Sequence, residues 1–187
     1  MEAVRKTSAL TVEEYLAGEQ RSEARHEYLG GAVYAMAGAS DEHNTIAGNI
    51  FAGLRSHLRG KPCRAFIADS QLRLKVGGDD IFYYPDVMVA CDPRATDRFF
   101  KRHPRVLIEV LSETTERTDR REKFLSYTQI ETLEEYVLVA QDRRELTVFR
   151  RQNQWQPELL NLPGQTLRLP SLDFSLPLDA VYEGVQV

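Results

Sequence analysis

Val106-Leu107-Ile108-Glu109-Val110-Leu111 is a run of strand-forming apolar residues interrupted once, by an acid. A run this apolar reads as a strand covered on both faces. A carboxylate inside it loses its water, at a cost of several kcal/mol that a cation, a metal or a set of donors must offset. Asp86 stands in a similar setting, between Ile81-Phe82-Tyr83-Tyr84-Pro85 and Val87-Met88-Val89-Ala90. Two acids planted in neighbouring core strands are unfavourable for structure alone. They suggest a metal site.

Working outward, Thr11-Val12-Glu13-Glu14-Tyr15-Leu16 opens with a capping Thr and acids in the first turn, which predicts a short helix. The Gly30-Gly31 pair between Arg25–Leu29 and Ala32–Met36 predicts a β-hairpin. Ser40 caps a long helix, with Asp41 and Glu42 in its first turn and Ile46, Ile50, Leu54 and Leu58 as one apolar stripe. Gly60 and Pro62 stop it. Strands are expected over Cys63–Ile67, Gln71–Val76, Ile81–Tyr84 and Val87–Ala90, with Gly77-Gly78-Asp79-Asp80 as a hairpin turn. After an Arg-rich loop come the Glu109 strand and a helix from about Glu116 to Ile130. Strands near Tyr136–Ala140 and Leu146–Arg151 follow, and then a Pro-rich remainder of loop and short strands. The order predicts an α/β (α+β) fold, a mixed sheet flanked by helices.

The chain's 187 residues fit one domain, 1–187, long enough to bury a full core. With 42% hydrophobic and 28% charged residues the composition is globular and not disordered. A net charge of -4 gives no global basic field, so a nucleic-acid enzyme would need local basic patches. The two cysteines, Cys63 and Cys91, are too few for a disulfide scaffold and match a reduced, cytoplasmic setting. No apolar stretch approaches the ~20 residues of a membrane span, and the first residues lack a signal-peptide core. The expectation is cytoplasmic, with no membrane partner.

Carboxylate oxygens are the hard ligands that Mg²⁺ or Mn²⁺ prefer, and Mg²⁺ usually takes one or two of them plus waters and phosphate oxygens. A hydrolytic site also needs a positive group to orient water or neutralise charge on a phosphate. Asp119, Lys123 and Tyr127, spaced i, i+4, i+8, share one helix face. If that face packs on the sheet, Lys123 points at the carboxylate pair.

Each residue also has a structural reading. Pro85-Asp86 is a common turn dipeptide, and Glu109 alone could pair with Arg64 or Arg73 in the core. Lys123 and Asp119 could form a surface pair of roughly 0.2–0.5 kcal/mol. Glu27, beside His26 in the hairpin, could be solvated. His43, in the first turn of the long helix, suits capping or a bond to the site, and the structural role is favoured. Asp69 reads as a turn acid, and Gln129 points away from Lys123. Arg94, Arg98, Lys101, Arg102 and Arg105 fall in the loop between the acidic strands, and Arg117, Arg120 and Arg121 open the Lys123 helix. They could flank a site and hold phosphates, or form solvated charge runs. Phe99-Phe100 could stack on bases, anchor the loop or make a dimer contact. The four histidines show no zinc-ligand spacing, and no Gly-rich phosphate loop, Gly-x-Ser-x-Gly or Cys-His nucleophile pattern is present.

Pro85-Asp86 followed by the strand carrying Glu109 resembles the PD-(D/E)XK phosphodiesterase superfamily, to which many restriction endonucleases belong. The lysine that usually stands two residues after the Glu is replaced by Leu111, and Lys123 fits the migrated position of some branches. More specifically, the chain is similar to the Uma-type family of restriction-endonuclease-like proteins, from about Thr11 to Gly184. Its carriers are His26-Glu27-Tyr28 with Gly31, Met36-Ala37-Gly38 with His43, Tyr84-Pro85-Asp86-Val87, Ile108-Glu109-Val110-Leu111-Ser112, Asp119-Arg120-Arg121-Glu122-Lys123 with Tyr127, and Glu135-Tyr136. The resemblance implies a nuclease core with Asp86, Glu109 and Lys123 as the site and Glu27 as an added acid.

The expected function is therefore a divalent-metal-dependent phosphodiesterase acting on DNA. Asp86 and Glu109 would bind Mg²⁺ or Mn²⁺, Lys123 would orient the water, and Glu27 would complete the shell or place a second ion. Cutting both strands of a duplex favours a homodimer. Two rivals stand beside it: a silent nucleic-acid or protein-binding module, which Leu111 keeps open, and a carboxylate pair acting on a sugar.

Overall fold

The computed structural model describes residues 9–36, 38–92, 97–112 and 119–187, with the backbone alone at Asp119. Ala37, Arg94, Glu116 and Arg117, named above, lie outside these residues.

Thr11 closes a capping box on α1 (Val12–Glu19): its hydroxyl accepts from the Glu14 N–H at 3.2 Å, and its own N–H donates to Glu14 Oε2 at 2.9 Å. The hairpin of β1 (His26–Leu29) and β2 (Ala32–Ala35) turns through Gly30 and Gly31 at φ 55° and 99°. Two successive positive φ values match the strand twist and suit glycine. Gly77 and Gly78 repeat the device between β4 (Gln71–Val76) and β5 (Asp79–Tyr83). Asp79 and Asp80, expected in the turn, belong to the strand and pair with Val76 and Lys75. In α2 (Asp41–His57), Ser40 accepts from the His43 N–H at 3.1 Å, and the stripe Ile46, Ile50, Leu54 is fully buried.

The remaining strands are β3 (Arg64–Ile67), β6 (Val87–Ala90), β7 (Phe100–Lys101), β8 (Pro104–Leu111), β9 (Glu135–Ala140), β10 (Leu146–Arg150), β11 (Pro157–Leu160), β12 (Thr166–Leu169) and β13 (Phe174–Pro177). A π-helical turn, Asp119–Lys123, leads into α3 (Phe124–Tyr127), and α4 (Leu178–Val181) follows β13. The described part of the expected 116–130 helix is thus shorter and wound differently. After Tyr127 the chain tightens through Gln129 N–H to Ser126 O and Ile130 N–H to Tyr127 O, which turns Ile130 and Leu133 into the core.

Among the described residues the strands form three sheets: β2-β1-β5-β4-β7, β11-β10-β9-β8-β6-β3 and the β12-β13 hairpin. Most pairs are antiparallel, but β8 and β9 are parallel and joined through α3, a β-α-β unit at the centre of the larger sheet. One face of that sheet packs on α2, α4 and the β12-β13 hairpin through Val87, Val89, Val106, Ile108 and Val110. Its other face, with Met88, Leu107, Leu111, Tyr136 and Leu138, meets Leu72, Leu74 and Tyr83 of the smaller sheet and Tyr127 of α3. Beyond the smaller sheet, Tyr15 of α1 packs with Tyr28, Phe82 and Phe100. The layers run helix, sheet, sheet, helix, and the space between the sheets is where Glu27, Glu109 and Lys123 lie.

The structure corrects the cysteine expectation. β3 and β6 are antiparallel with Arg64 opposite Ala90, so the next residues outward, Cys63 and Cys91, meet and form a disulfide. The register of two strands is a long-range property that residue spacing does not display. Phe100–Lys101, expected inside the Arg-rich loop, instead adds a short parallel strand beside Gln71–Leu72. Among the described residues no helix is long and apolar enough to cross a membrane.

Candidate active site

Val87 pairs with Ile108 in the antiparallel β6–β8 ladder, so one step further out Asp86 faces Glu109 across the strands. The Val110 N–H donates to Asp86 Oδ2 at 2.7 Å, and the Asp86 carbonyl accepts from the Ala68 N–H at 3.2 Å. The second contact comes from a bend in which Ala68 and Asp69 have φ 35° and 43°, a conformation that side chains other than glycine rarely adopt. Glu109 lies on the same face as Leu107 and Leu111, toward the smaller sheet. Asp86 sits at the open end of its strand and is half-buried.

Lys123 reaches the acids. Its Nζ lies 3.2 Å from Glu109 Oε1 and 3.2 Å from Glu27 Oε1. Glu27, Glu109 and Lys123 are only 5%, 2% and 5% exposed. The ammonium therefore bridges a strand of each sheet, and its contact to the Tyr83 ring, 5.5 Å from the centroid, lines the remaining side. Tyr127 donates to the same Glu109 Oε1 at 2.7 Å. Burial first, and the Glu109 charge second, push the Tyr127 phenol well above its ordinary range, so it stays a donor. Burial likewise lifts Tyr83 to about 12. Lys123 belongs to the π-helical turn, an irregularity often found at functional sites.

His43 Nε2 lies 3.2 Å from Asp86 Oδ2. Its backbone N–H completes the Ser40 cap while its imidazole meets the site, so the residue serves both alternatives open in the sequence. Asp86 thereby joins the helix layer to the strand pair.

The structural alternatives also sort out. Arg64 is exposed and Arg73 pairs with Asp80 at 2.8 Å, so the buried cation near Glu109 is Lys123. Glu27 is buried, not solvated. Asp69 is an exposed turn acid held by Arg25 at 2.9 Å, and Gln129 donates to Leu125 O. Phe100 packs edge-on against Phe82 with centroids 5.7 Å apart and so anchors its loop, whereas Phe99 is 57% exposed. Of the basic residues, Arg105 sits four residues before Glu109 on β8, about 13 Å away at ~3.3 Å per residue. It does not flank the acids. Arg102 pairs with Asp97, and Arg120 lies 4.0 Å from Glu145.

The donors present are oxygen-rich. Three carboxylates, Glu27, Asp86 and Glu109, stand against one ammonium and one imidazole in a mostly buried setting, an excess of negative charge that a divalent cation would offset. Among the described residues no group of three or more His, Cys, Asp or Glu side chains is arranged to hold an ion. An ion here would take Asp86 and Glu109 and complete its shell from water and phosphate, which is how Mg²⁺ is usually held.

The Uma2 family, described as "Putative restriction endonuclease", matches residues 12–179. Two proteins of Synechocystis sp., both named uncharacterized, are similar along nearly their whole length. The first, slr1290, is 34% identical, covering 94% of this chain and 93% of its own. The second, sll1609, is 30% identical, covering 90% and 96%. A crystal structure from Anabaena variabilis, described as "a putative nuclease belonging to DUF820", superposes with a TM-score of 0.75 at 20% identity. The match covers 92% of this chain and 97% of that one. The fold is restriction-endonuclease-like.

Proposed function

The chain belongs to the Uma2 family, and from that membership we propose that it is a divalent-metal-dependent endonuclease that hydrolyses phosphodiester bonds in DNA. The observation that carries the reading is the placement of Lys123 between Glu27 and Glu109, 3.2 Å from each, beside the Asp86–Glu109 strand pair. A lysine that departs from the usual slot after the Glu strand thus arrives at the acids from the following helical turn.

In this reading Asp86 and Glu109 hold Mg²⁺ or Mn²⁺. When bound, the ion supplies charge neutralisation at the phosphate and an acidified water. Val110 N–H and His43 both hold Asp86 Oδ2, so the carboxylate is oriented before any ion arrives. Tyr127 fixes Glu109 in the same way. Lys123 has three N–H donors, and the two glutamates aim that ammonium; it orients the attacking water and neutralises charge building on the phosphate. Glu27 holds Lys123 from the smaller sheet and places a third carboxylate where a second ion could be positioned. Arg98, Lys101 and Arg102 offer positive charge to the phosphate backbone, and exposed Phe99 a face for a base. The proposal extends to one unit over 1–187, to a homodimer that addresses both strands of a duplex, and to a cytoplasmic setting. The Cys63–Cys91 disulfide is the observation that weighs against that last point.

A second reading, a binding module that no longer cuts, is favoured by one feature: Leu111 fills the usual lysine slot and is buried in the apolar cluster. Cleavage of supercoiled plasmid with Mg²⁺, Mn²⁺ or EDTA separates the two. The nuclease reading expects metal-dependent nicking that is lost in Asp86→Ala and Lys123→Ala. Tight DNA binding by wild type with no cleavage under any metal would leave the binding module.

A further inference from the structure

Behind the candidate site lies a closed ring of hydrogen bonds that the chemistry above does not use. Glu19 Oε1 accepts from the Tyr84 hydroxyl at 2.8 Å and from the His26 N–H at 2.9 Å. Gln71 Nε2 donates to Tyr84 at 2.8 Å and to the Tyr15 hydroxyl at 2.8 Å. Tyr15 closes the ring by donating to the His26 carbonyl at 2.6 Å. The ring's polarity has one solution. A carboxylate and a backbone carbonyl can only accept, so both phenols spend their single proton on them and can then only accept from Gln71. That assigns the amide NH₂ of Gln71, and not its carbonyl, to both contacts.

Glu19 is an unusual choice for its place. It is the last residue of α1, a helix end that favours cations, and it is 8% exposed. Three donors compensate it: the two on Oε1 and the His26 ring Nδ1, 3.1 Å from Oε2. Burial, followed by the bond to Glu19, pushes the Tyr84 phenol far up, so that donor does not ionise.

What the ring grips is informative. His26 is held at both its N–H and its C=O, and the next residue is Glu27. Tyr84 is held at its tip, and Pro85 stiffens the two-residue link to Asp86. We propose that Glu19 is a positioning residue that sets Glu27 and Asp86 in register with each other from the far side of the smaller sheet. The assignment rests on the nuclease reading of those two acids. Glu19 touches neither of them; it acts through His26 and Tyr84.

The test is Mn²⁺ affinity by titration calorimetry, with thermal unfolding and plasmid cleavage alongside, for wild type, Glu19→Gln, Glu19→Ala and Tyr84→Phe. Loss of a partner that orients a metal ligand weakens affinity about 10–100-fold. Tyr84→Phe keeps the ring volume and opens the circuit on the Asp86 side, so the Mn²⁺ affinity of the folded variant should fall about tenfold, beyond any drop in melting temperature from the Gln71 N–H left without its acceptor. Glu19→Ala should fall at least as far, and Glu19→Gln, which keeps an acceptor, should rescue most of the affinity. A scaffold role alone would lower the melting temperature and leave the folded protein's affinity unchanged. Folded Tyr84→Phe with wild-type affinity and cleavage overturns the assignment, whether or not Glu19→Ala folds. A wild type that neither binds Mn²⁺ nor cuts overturns the nuclease reading itself, and the assignment with it.

Discussion

The Val110 N–H donates to Asp86 Oδ2 at 2.7 Å, so one acid of the candidate site is held by the backbone of the residue that follows the other. A change at Asp86 therefore acts on the Glu109 strand as well as on any ligand.

Two substitutions at Asp86 separate these effects. Asp86→Asn keeps an oxygen for the Val110 N–H and should cost under about 1 kcal/mol. Asp86→Ala leaves that donor without its acceptor and should cost about 1–3 kcal/mol. Both should abolish metal-dependent cleavage. Urea unfolding and plasmid assays read the two quantities, and wild-type cleavage by Asp86→Asn would remove Asp86 from the chemistry.

Lys123→Met should do more damage to the fold. Removing one partner of a buried charge cluster costs about 3–5 kcal/mol, because Glu27 and Glu109 are left facing each other. A divalent cation should then replace the missing charge, so Mn²⁺ should raise the melting temperature of the variant more than that of wild type. Equal shifts in both proteins would show that the acids do not attract the ion.

The Cys63–Cys91 bond closes a loop with a sequence separation of 28. Loop-closure entropy gives such a cross-link about 3.6 kcal/mol of stabilisation. Unfolding with and without dithiothreitol should differ by about that amount, and the Cys63→Ser, Cys91→Ser double variant should match the reduced protein. No difference would mean that the two thiols are not joined in solution.

Glu135 predicts a pH dependence. Burial is the largest influence on its carboxyl and raises its pKa, against the two donors of Ser171. A raised folded pKa means that the contribution to stability is full below the unfolded value and is lost as pH rises through the folded one. Glu135→Gln, which does not ionise, should therefore be more stable than wild type at pH 7, with the advantage gone near pH 3. Urea midpoints at the two pH values decide it; a variant weaker than wild type at pH 7 would contradict the sign.

These relationships differ in how far the sequence displays them. The α2 stripe and the two Gly-Gly turns are local patterns, and the structure repeats them. Asp86 and Glu109 stand out because each breaks an apolar run. Helical spacing points Lys123 toward the acids, although the turn that delivers it is a π-helix, whose wider winding that spacing does not describe. The Glu19 ring is not legible, and for His43 the sequence leaves a bond to the site open beside capping without naming its partner. Their partners, Asp86 and Tyr84, come from segments 43 to 65 residues away, and only sheet topology makes them neighbours. The disulfide is hidden from the sequence for the same reason: the two cysteines look distant until the register of β3 and β6 is known.

The apolar stripe of α2 is covered in part by Phe174, Leu178 and Val181, which share its cluster with the larger sheet, and Asn49 Nδ2 donates to the carbonyls of Val181 and Glu183. During synthesis from the N-terminus, α2 therefore emerges long before that cover. At ribosomal rates of ~5–20 residues per second, the side of Ile46, Ile50 and Leu54 that meets Phe174, Leu178 and Val181 waits roughly ten seconds for that cover, while the sheet residues Val87, Val89, Val106 and Ile108 arrive earlier. Until those residues emerge, the nascent protein displays the uncovered side of that ridge to chaperones.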